Sequence, residues 1–437
     1  MDTTDYLALD TPFAKATYRK VVMRILPFLF AALMVNAIDR LNVAFAKLRM
    51  ADDIGLTDVA YGIGAGVFYL GYILFEVPSN LYMKRVGARR TLTRIMVLWG
   101  LVTVGTAFVT TSEQLIVARF LLGMAEAGFF PGVILYLTFW FPPALRGRIT
   151  AVFLMAGIGA GFLFGPLAGA IMSGLHGSFG LDDWQMLFVT TGLPAILLGL
   201  FGWFWLTDRP SDAEWLDDKE KTFIERQLRS GTATAAHVGF RDVLRIPQVY
   251  IAGLVYFAVY SGSNTVSYWM PTLIQGFGID DLSLIGAIAA LPFGCALIGM
   301  YVLGRSSDRR MERRWHLALT MALSASCFGL LGFAEGNVPL SIALMSLGAA
   351  AALSSTSLFW TIPPALLSPG AAAAGIAIIS SIGNLAGVVS QAMVGAIKSA
   401  SGSLYVAFDV IGIVQLVGIA LVLTGIRARD LRERAAP

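Results

Sequence analysis

Gly336–Ile397 reads GNVPLSIALMSLGAAAALSSTSLFWTIPPALLSPGAAAAGIAIISSIGNLAGVVSQAMVGAI, without one Asp, Glu, Lys or Arg. A membrane-spanning helix needs about 20 apolar residues. This stretch is long enough for two, and Pro363-Pro364 followed by Pro369-Gly370 marks the turn between them. Trp184–Leu206, Pro247–Ile279 and Leu282–Gly304 lack the same four residue types. Of 437 residues, 57% are hydrophobic and 14% charged, against about 25% charged in a soluble domain. Water cannot solvate so much apolar sequence; the bilayer has to. The sequence therefore predicts an all-α integral membrane protein.

Spans are expected at 21–46, 59–83, 92–111, 113–141, 149–175, 184–206, 247–275, 283–304, 315–334, 338–364, 371–397 and 403–426. These twelve fall into an N-terminal six-helix bundle (1–206) and a C-terminal one (247–437), joined by a charged linker at 207–246. In the linker, Ser211-Asp212 is expected to cap a short helix with Trp215, Leu216, Phe223 and Ile224 on one side. That pattern reads as an amphipathic element on the membrane surface. Asp2, Asp5 and Asp10 precede Lys15, Arg19 and Lys20, and no small-residue cleavage site follows a short apolar core, so no cleaved signal peptide is expected.

Lys and Arg gather in alternate connections. Lys15–Arg24, Lys84–Arg94, Arg146 with Arg148, Arg209–Arg245, Arg305–Arg314 and Arg427–Arg434 hold 27 of the 32. The opposite connections hold Lys47, Arg49 and Lys398, with ten acids, among them Asp52, Asp53, Asp182, Asp183, Asp280 and Asp281. Basic connections stay in the cytoplasm, so both termini are expected there and the location is the inner cell membrane. The net charge of +4 follows from this asymmetry and calls for no nucleic-acid partner. Cys295 and Cys327 lie in apolar stretches and read as small core residues. His176, His237 and His316 fall at loops or helix ends. No metal, cofactor or catalytic constellation is expected, and the chain is read as a monomer that is not an enzyme.

Five charges are counted within the spans: Asp39 and Arg40 in the first, Glu76 in the second, Arg119 and Glu126 in the fourth. A charge at the bilayer centre costs about 2.5–3.5 kcal/mol or more, so these should face protein or a water-filled cavity. None is counted in spans seven to twelve, so the two halves are expected to differ in chemistry. The first span runs outward and the fourth inward, which puts Asp39 and Arg119 at similar depth, able to pair. Glu126 is two turns beyond Arg119 on the same face, about 10 Å deeper, where Arg40 can reach it. Burial raises a carboxyl pKa and a nearby guanidinium lowers it. An anion that engages the Arg would free the acid to take a proton, coupling anion and proton entry. The plainer alternative is a fixed set of ion pairs joining two spans, although apolar packing would do that more simply.

Several motifs resemble the major facilitator superfamily. Lys84-Arg85-Val86-Gly87-Ala88-Arg89-Arg90 is similar to its loop G-x-x-x-D-[RK]-x-G-[RK]-[RK], with Ser79-Asn80 in the neighbourhood where that motif favours Asp. Gly304-Arg305-Ser306-Ser307-Asp308-Arg309-Arg310 looks like its second copy, in the equivalent place of the second half. The resemblance implies gating and helix-packing roles for these loops. Ile38-Asp39-Arg40-Leu41-Asn42-Val43-Ala44-Phe45-Ala46, Gly71–Asn80 and Arg119–Gly132, followed by Tyr136 and Trp140-Phe141-Pro142, resemble the anion:cation symporter family within it. Members carry tartrate, sugar acids, aromatic acids and other carboxylates, mostly with protons. The resemblance implies that Arg40 binds substrate carboxylate, Asp39 and Glu126 couple protons, Arg119 is an ion-pair partner, and Tyr72 lines the cavity. The implied partners are a small organic anion, protons and membrane lipid.

The second half offers neutral polar candidates. Tyr256, Tyr260, Asn264 and Tyr268 recur every four residues, one helix face. Ser354, Ser357 and Trp360 follow in the tenth span, and Ser380, Ser381, Asn384 and Gln391 in the eleventh. Such residues line a pocket or join helices by hydrogen bonds; Tyr260, Asn264, Trp360 and Asn384 are the binding candidates taken forward. Gly161-x-x-x-Gly165-Pro166-x-x-Gly169 resembles a motif of drug:proton antiporters and alone suggests efflux. The Asp39-Arg40 pair suits an anion better than a lipophilic cation. A transporter-like sensor is a further alternative, but such proteins add a long cytoplasmic tail or domain.

Overall fold

Helix starts follow from local caps. Thr11 Oγ1 accepts the Ala14 N–H, and Pro12 occupies the first helical position, opening α1 (Pro12–Asp53). Thr57 does the same for α2 (Asp58–Val86). The computed structural model describes residues 9–230, 240–310, 312–367 and 369–426. Asp2, Asp5, His237 and Arg427–Arg434, which entered the reading above, lie outside the described residues. The chain continues as α3 (Ala88–Thr106), α4 (Ser112–Glu126), α5 (Phe129–Thr138), α6 (Pro143–Gly174) and α7 (Asp183–Trp205). Then come α8 (Asp218–Ser230), α9 (Phe240–Val243), α10 (Pro247–Gly276), α11 (Leu282–Arg310) and α12 (Arg314–Leu330). The last are α13 (Val338–Phe359), α14 (Pro363–Leu366), α15 (Pro369–Ser401) and α16 (Leu404–Gly425).

Among the described residues, nine helical stretches are long and apolar enough to cross a membrane. Two of them join helices of the list above: Ser112–Thr138 takes in α4 and α5, and Val338–Leu366 takes in α13 and α14. α3, α10 and α12 pack within the same bundles. The first bundle holds α1 to α7, with α3 on α7, α2 on α4 and α1 on both α6 and α7. The second holds α10 to α16, with α10 on α15 and α16, and α13 between α11 and α12. The bundles meet through α2 on α15, α6 on α11 and α1 on α10.

One end of the molecule carries Asp52 and Asp53 at the end of α1 and Asp182, Asp280, Asp281 and Glu335 in the connections, and this is called the acidic end. There the bundles touch backbone to backbone. A Cβ at Gly62 of α2 would strike the Gln391 carbonyl of α15, and one at Gly395 of α15 the Asp58 carbonyl of α2. Gly165 of α6 and Gly286 of α11 block one another in the same way, and Gly161 lies against the Phe293 ring. The Gly161–Gly169 stretch is thus the surface on which α6 approaches α11, the close packing that small residues permit.

Several expectations need correction. α1 runs seven residues past its expected end at 46, because intrahelical bonds continue until Ile54 N–H meets the Met50 carbonyl. The second half is not free of charge within its helices: half-buried Asp409 lies within α16, and its Oδ1 is shielded without a partner. Cys295 is exposed, whereas Cys327 is buried. The first basic loop shrinks to Gly87 (φ +94°), with Lys84 and Arg85 ending α2 and Arg89 and Arg90 opening α3. Basic residues oppose the dipole at a helix start; Asp208 answers by accepting the Arg89 N–H at 2.8 Å. The second copy is no loop at all: Gly304, Asp308, Arg309 and Arg310 continue α11. The linker helix starts at Asp218 rather than at Ser211-Asp212, since Asp217 and Glu220 form reciprocal caps. It seats on the first bundle: Phe223 meets Phe13 and Tyr18, Trp215 stacks on Trp140, and Lys20 bonds Glu220 at 2.6 Å.

Candidate functional site

Asn36, Asp39 and Asn42 share one face of α1 and are all buried. That face looks into the first bundle. Asn42 Nδ2 donates to Asp39 Oδ1 (3.3 Å) and to Thr191 Oγ1 on α7 (3.1 Å). Asp39 is fully buried, with the Thr103 hydroxyl of α3 beside its carboxylate.

Arg40 is one residue on, so its side chain leaves the helix about 100° away. It crosses to α4, where Nε donates to Glu126 Oε1 at 2.5 Å and Nη2 contacts the same oxygen. The guanidinium lies 5.1 Å from the Tyr72 ring centre and 5.2 Å from that of Phe68, within cation–π range. Glu126 is the last residue of α4. Gly128 follows with φ +87°, and a Cβ there would strike the Ser79 hydroxyl. A carboxylate at a helix C-terminus opposes the dipole, so Glu126 depends on Arg40.

Arg119 has a different neighbourhood from the one depth implied. Its Nη2 donates to the Tyr268 hydroxyl of α10 at 3.2 Å, and its guanidinium sits 4.9 Å from the Phe68 ring. Nε and Nη1 are buried without a partner. Asp39 and Arg119 form no ion pair among the described residues. The expected four-member ladder is therefore one pair, Arg40–Glu126, flanked by a lone acid and a lone base. Glu76 is half-buried on α2, its carbonyl accepting from Asn80.

The second bundle brings its candidates to the same level. Asn264 Oδ1 accepts the Tyr69 hydroxyl across the bundles at 2.5 Å, while its Nδ2 is buried and unpartnered. Tyr260 stacks on Tyr256 (5.3 Å between centroids) and meets Tyr69 edge-on. Trp360 meets Tyr256 edge-on at 4.8 Å. Asn384 is half-buried on α15. Gln391 accepts from Trp269 Nε1 at 2.9 Å and so joins α10 to α15.

Sequence reasoning missed the residues nearest the acidic end. Lys47 and Lys398, assigned to connections, are both helical, and both reach Asp58 Oδ1, at 2.7 and 3.0 Å. Tyr61 donates to the Tyr268 carbonyl at 2.6 Å. One signal was available: Lys398 is the only Lys or Arg between Arg314 and Arg427.

A sequence model of the Major Facilitator Superfamily matches residues 29–391. A protein of Agrobacterium vitis named putative tartrate transporter is 41% identical over 391 residues, covering 88% of this chain and 86% of its own. A quinolone resistance transporter of Acinetobacter baumannii is 38% identical over 412 residues, covering 94% of each. The xylose transporter XylE from E. coli, solved in a partially occluded inward open conformation, shares the fold with a TM-score of 0.74 at 15% identity, over 93% of this chain and 98% of that one. The chain is a multi-pass membrane transporter and belongs to the Major Facilitator Superfamily, with the anion:cation symporter character that its motifs carry.

Proposed function

We propose that the protein takes up a small organic anion together with protons by alternating access. In this reading α3, α10 and α12 also span the membrane, completing two six-helix bundles (1–206 and 247–437). Both termini lie in the cytoplasm, and a monomer works in the inner membrane. The observation that carries it is the arrangement at Arg40: one guanidinium shared between Glu126 and the space facing Tyr72, beside an acid, Asp39, that has no cation of its own. A substrate carboxylate competes with Glu126 for Arg40. Glu126, released from that pair, is then free to carry the co-transported proton. Asp39 and Arg119 complete the proton-coupling set. Tyr72, Tyr260, Asn264, Trp360 and Asn384 supply rings and amides for the rest of the anion. The relative named for tartrate transport supports the substrate class.

Counterflow in proteoliposomes with a panel of tartrate, gluconate and benzoate tests this reading. Exchange of at least one, abolished in Arg40→Ala, is expected; exchange that survives in that variant sinks the binding role. The relative named for quinolone resistance favours a second reading, proton-driven efflux of drugs. Quinolone extrusion from loaded vesicles, with no carboxylate exchange, would establish it instead.

A further inference from the structure

Asp58 is the first residue of α2, and a single oxygen of its carboxylate receives two ammonium groups. Lys47 comes from α1 of the same bundle. Lys398 comes from α15 of the other. The Lys47 ammonium also lies 4.4 Å from the Tyr61 ring centre and 4.1 Å from that of Trp269; that of Lys398 lies 5.9 Å from Trp269. Lys47 is buried, and the other two are about a quarter exposed.

The cluster divides unevenly when the bundles part. Asp58 and Lys47 stay together on the first bundle as a neutral pair. Lys398 leaves with the second bundle, along with Trp269 and Gln391, and loses its counter-charge. It is the only Lys or Arg between Arg314 and Arg427, at an end otherwise lined by Asp280, Asp281 and Glu335. On the second bundle's share of that end Lys398 is the one Lys or Arg among the described residues, while the first bundle's exposed cation, Arg49, already faces Asp183 at 3.7 Å. We propose that Lys398 is a docking point for the carboxylate of the incoming substrate, masked by Asp58 while the acidic end is closed and exposed when it opens. The inference rests on the organic-anion reading above and adds an entry site to it. One partly hydrated ammonium holds a carboxylate weakly, which suits a site that must pass its ligand inward to Arg40.

The test uses the full chain with Cys295→Ser and Cys327→Ser, and a reporter Ser267→Cys in the crevice between α1, α6, α10 and α11. Maleimide labelling of the purified protein reads opening. Uptake of tartrate, gluconate and benzoate into vesicles at varied ionic strength reads docking. Asp58→Asn and Lys398→Gln should each speed labelling several-fold, because each breaks the contact between bundles. Only Lys398→Gln should raise the KM, roughly three- to fivefold, and flatten its salt dependence. Lys398→Arg should restore all readouts, which separates charge from misfolding. An unchanged KM and salt dependence in Lys398→Gln overturns the docking site; unchanged labelling in both variants overturns the masking by Asp58. If the native chain takes up no carboxylate, the anion reading and the docking site fall together, and labelling still decides whether Asp58 holds the end closed.

Discussion

Asp39 and Arg40 are consecutive on α1 yet serve different surfaces. The Asp39 carboxyl is sealed among α1, α3 and α7, held by Asn42 with Thr103 beside it, while the Arg40 guanidinium lies across on Glu126 of α4. An acid and a base in adjacent positions therefore do not neutralise one another. Each is available to a different partner, which is what coupling two ligands requires.

Removing Arg40 leaves Glu126 buried without its cation. Breaking such a pair costs about 3–5 kcal/mol when one partner is deleted. Arg40→Ala is expected to cut carboxylate exchange by at least about a hundredfold. Arg40→Lys should recover part of it, since an ammonium is a point donor and cannot present both Nε and Nη2 to one oxygen. Initial exchange rates in proteoliposomes check both.

Neutral substitutes for the acids separate binding from coupling. Asp39→Asn and Glu126→Gln should retain exchange of labelled for unlabelled substrate. Both should lose accumulation driven by a pH gradient, because the group that carries the proton is gone. Full gradient-driven accumulation in both variants would remove them from the coupling set.

The bundle contact at the acidic end tolerates no side chain. Gly165→Leu forces a branched chain against the Gly286 backbone, and overpacking of this kind costs about 1–3 kcal/mol. A lower melting temperature and slowed exchange are expected. Gly147→Ala, on the same helix but facing open space, should leave the melting temperature unchanged or raise it slightly.

The linker helix owes its start to Asp217 and Glu220. Asp217→Ala should destabilise α8 by about 1 kcal/mol. Faster tryptic cutting at Lys219 and Lys221, with exchange kept, is the expected result.

The membrane class and the Arg40–Glu126 approach were both legible in the sequence. A charge inside a long apolar stretch is conspicuous, and spacing gives its depth. Spacing does not give the direction in which a side chain leaves its helix relative to distant neighbours. Asp39 and Arg119 sit where they were expected along the helices, but Asp39 looks towards Thr103 and Asn42 while Arg119 looks towards Tyr268. Lys47 was hidden for another reason. Spans were ended where apolar residues stop, whereas α1 ends where its hydrogen bonding stops, near Gly55 at φ +62°. Its burial depends on Asp58 and on Lys398, 340 positions from Asp58, a tertiary fact that no local pattern carries. Asp409 lies inside the expected span 403–426 as well as inside α16, so its position within a helix was open to reading from the sequence alone.

The paired glycine contacts of α2 with α15 and of α6 with α11 bear on more than packing. Where a backbone carbonyl fills the place a Cβ would take, no width is left for a file of water molecules. A proton moving along such a file would bypass the substrate and discharge the gradient uselessly. Along these two helix pairs the glycines narrow the path a leaking proton could take, and a carrier that holds off the membrane potential needs such narrowing as much as it needs a binding site.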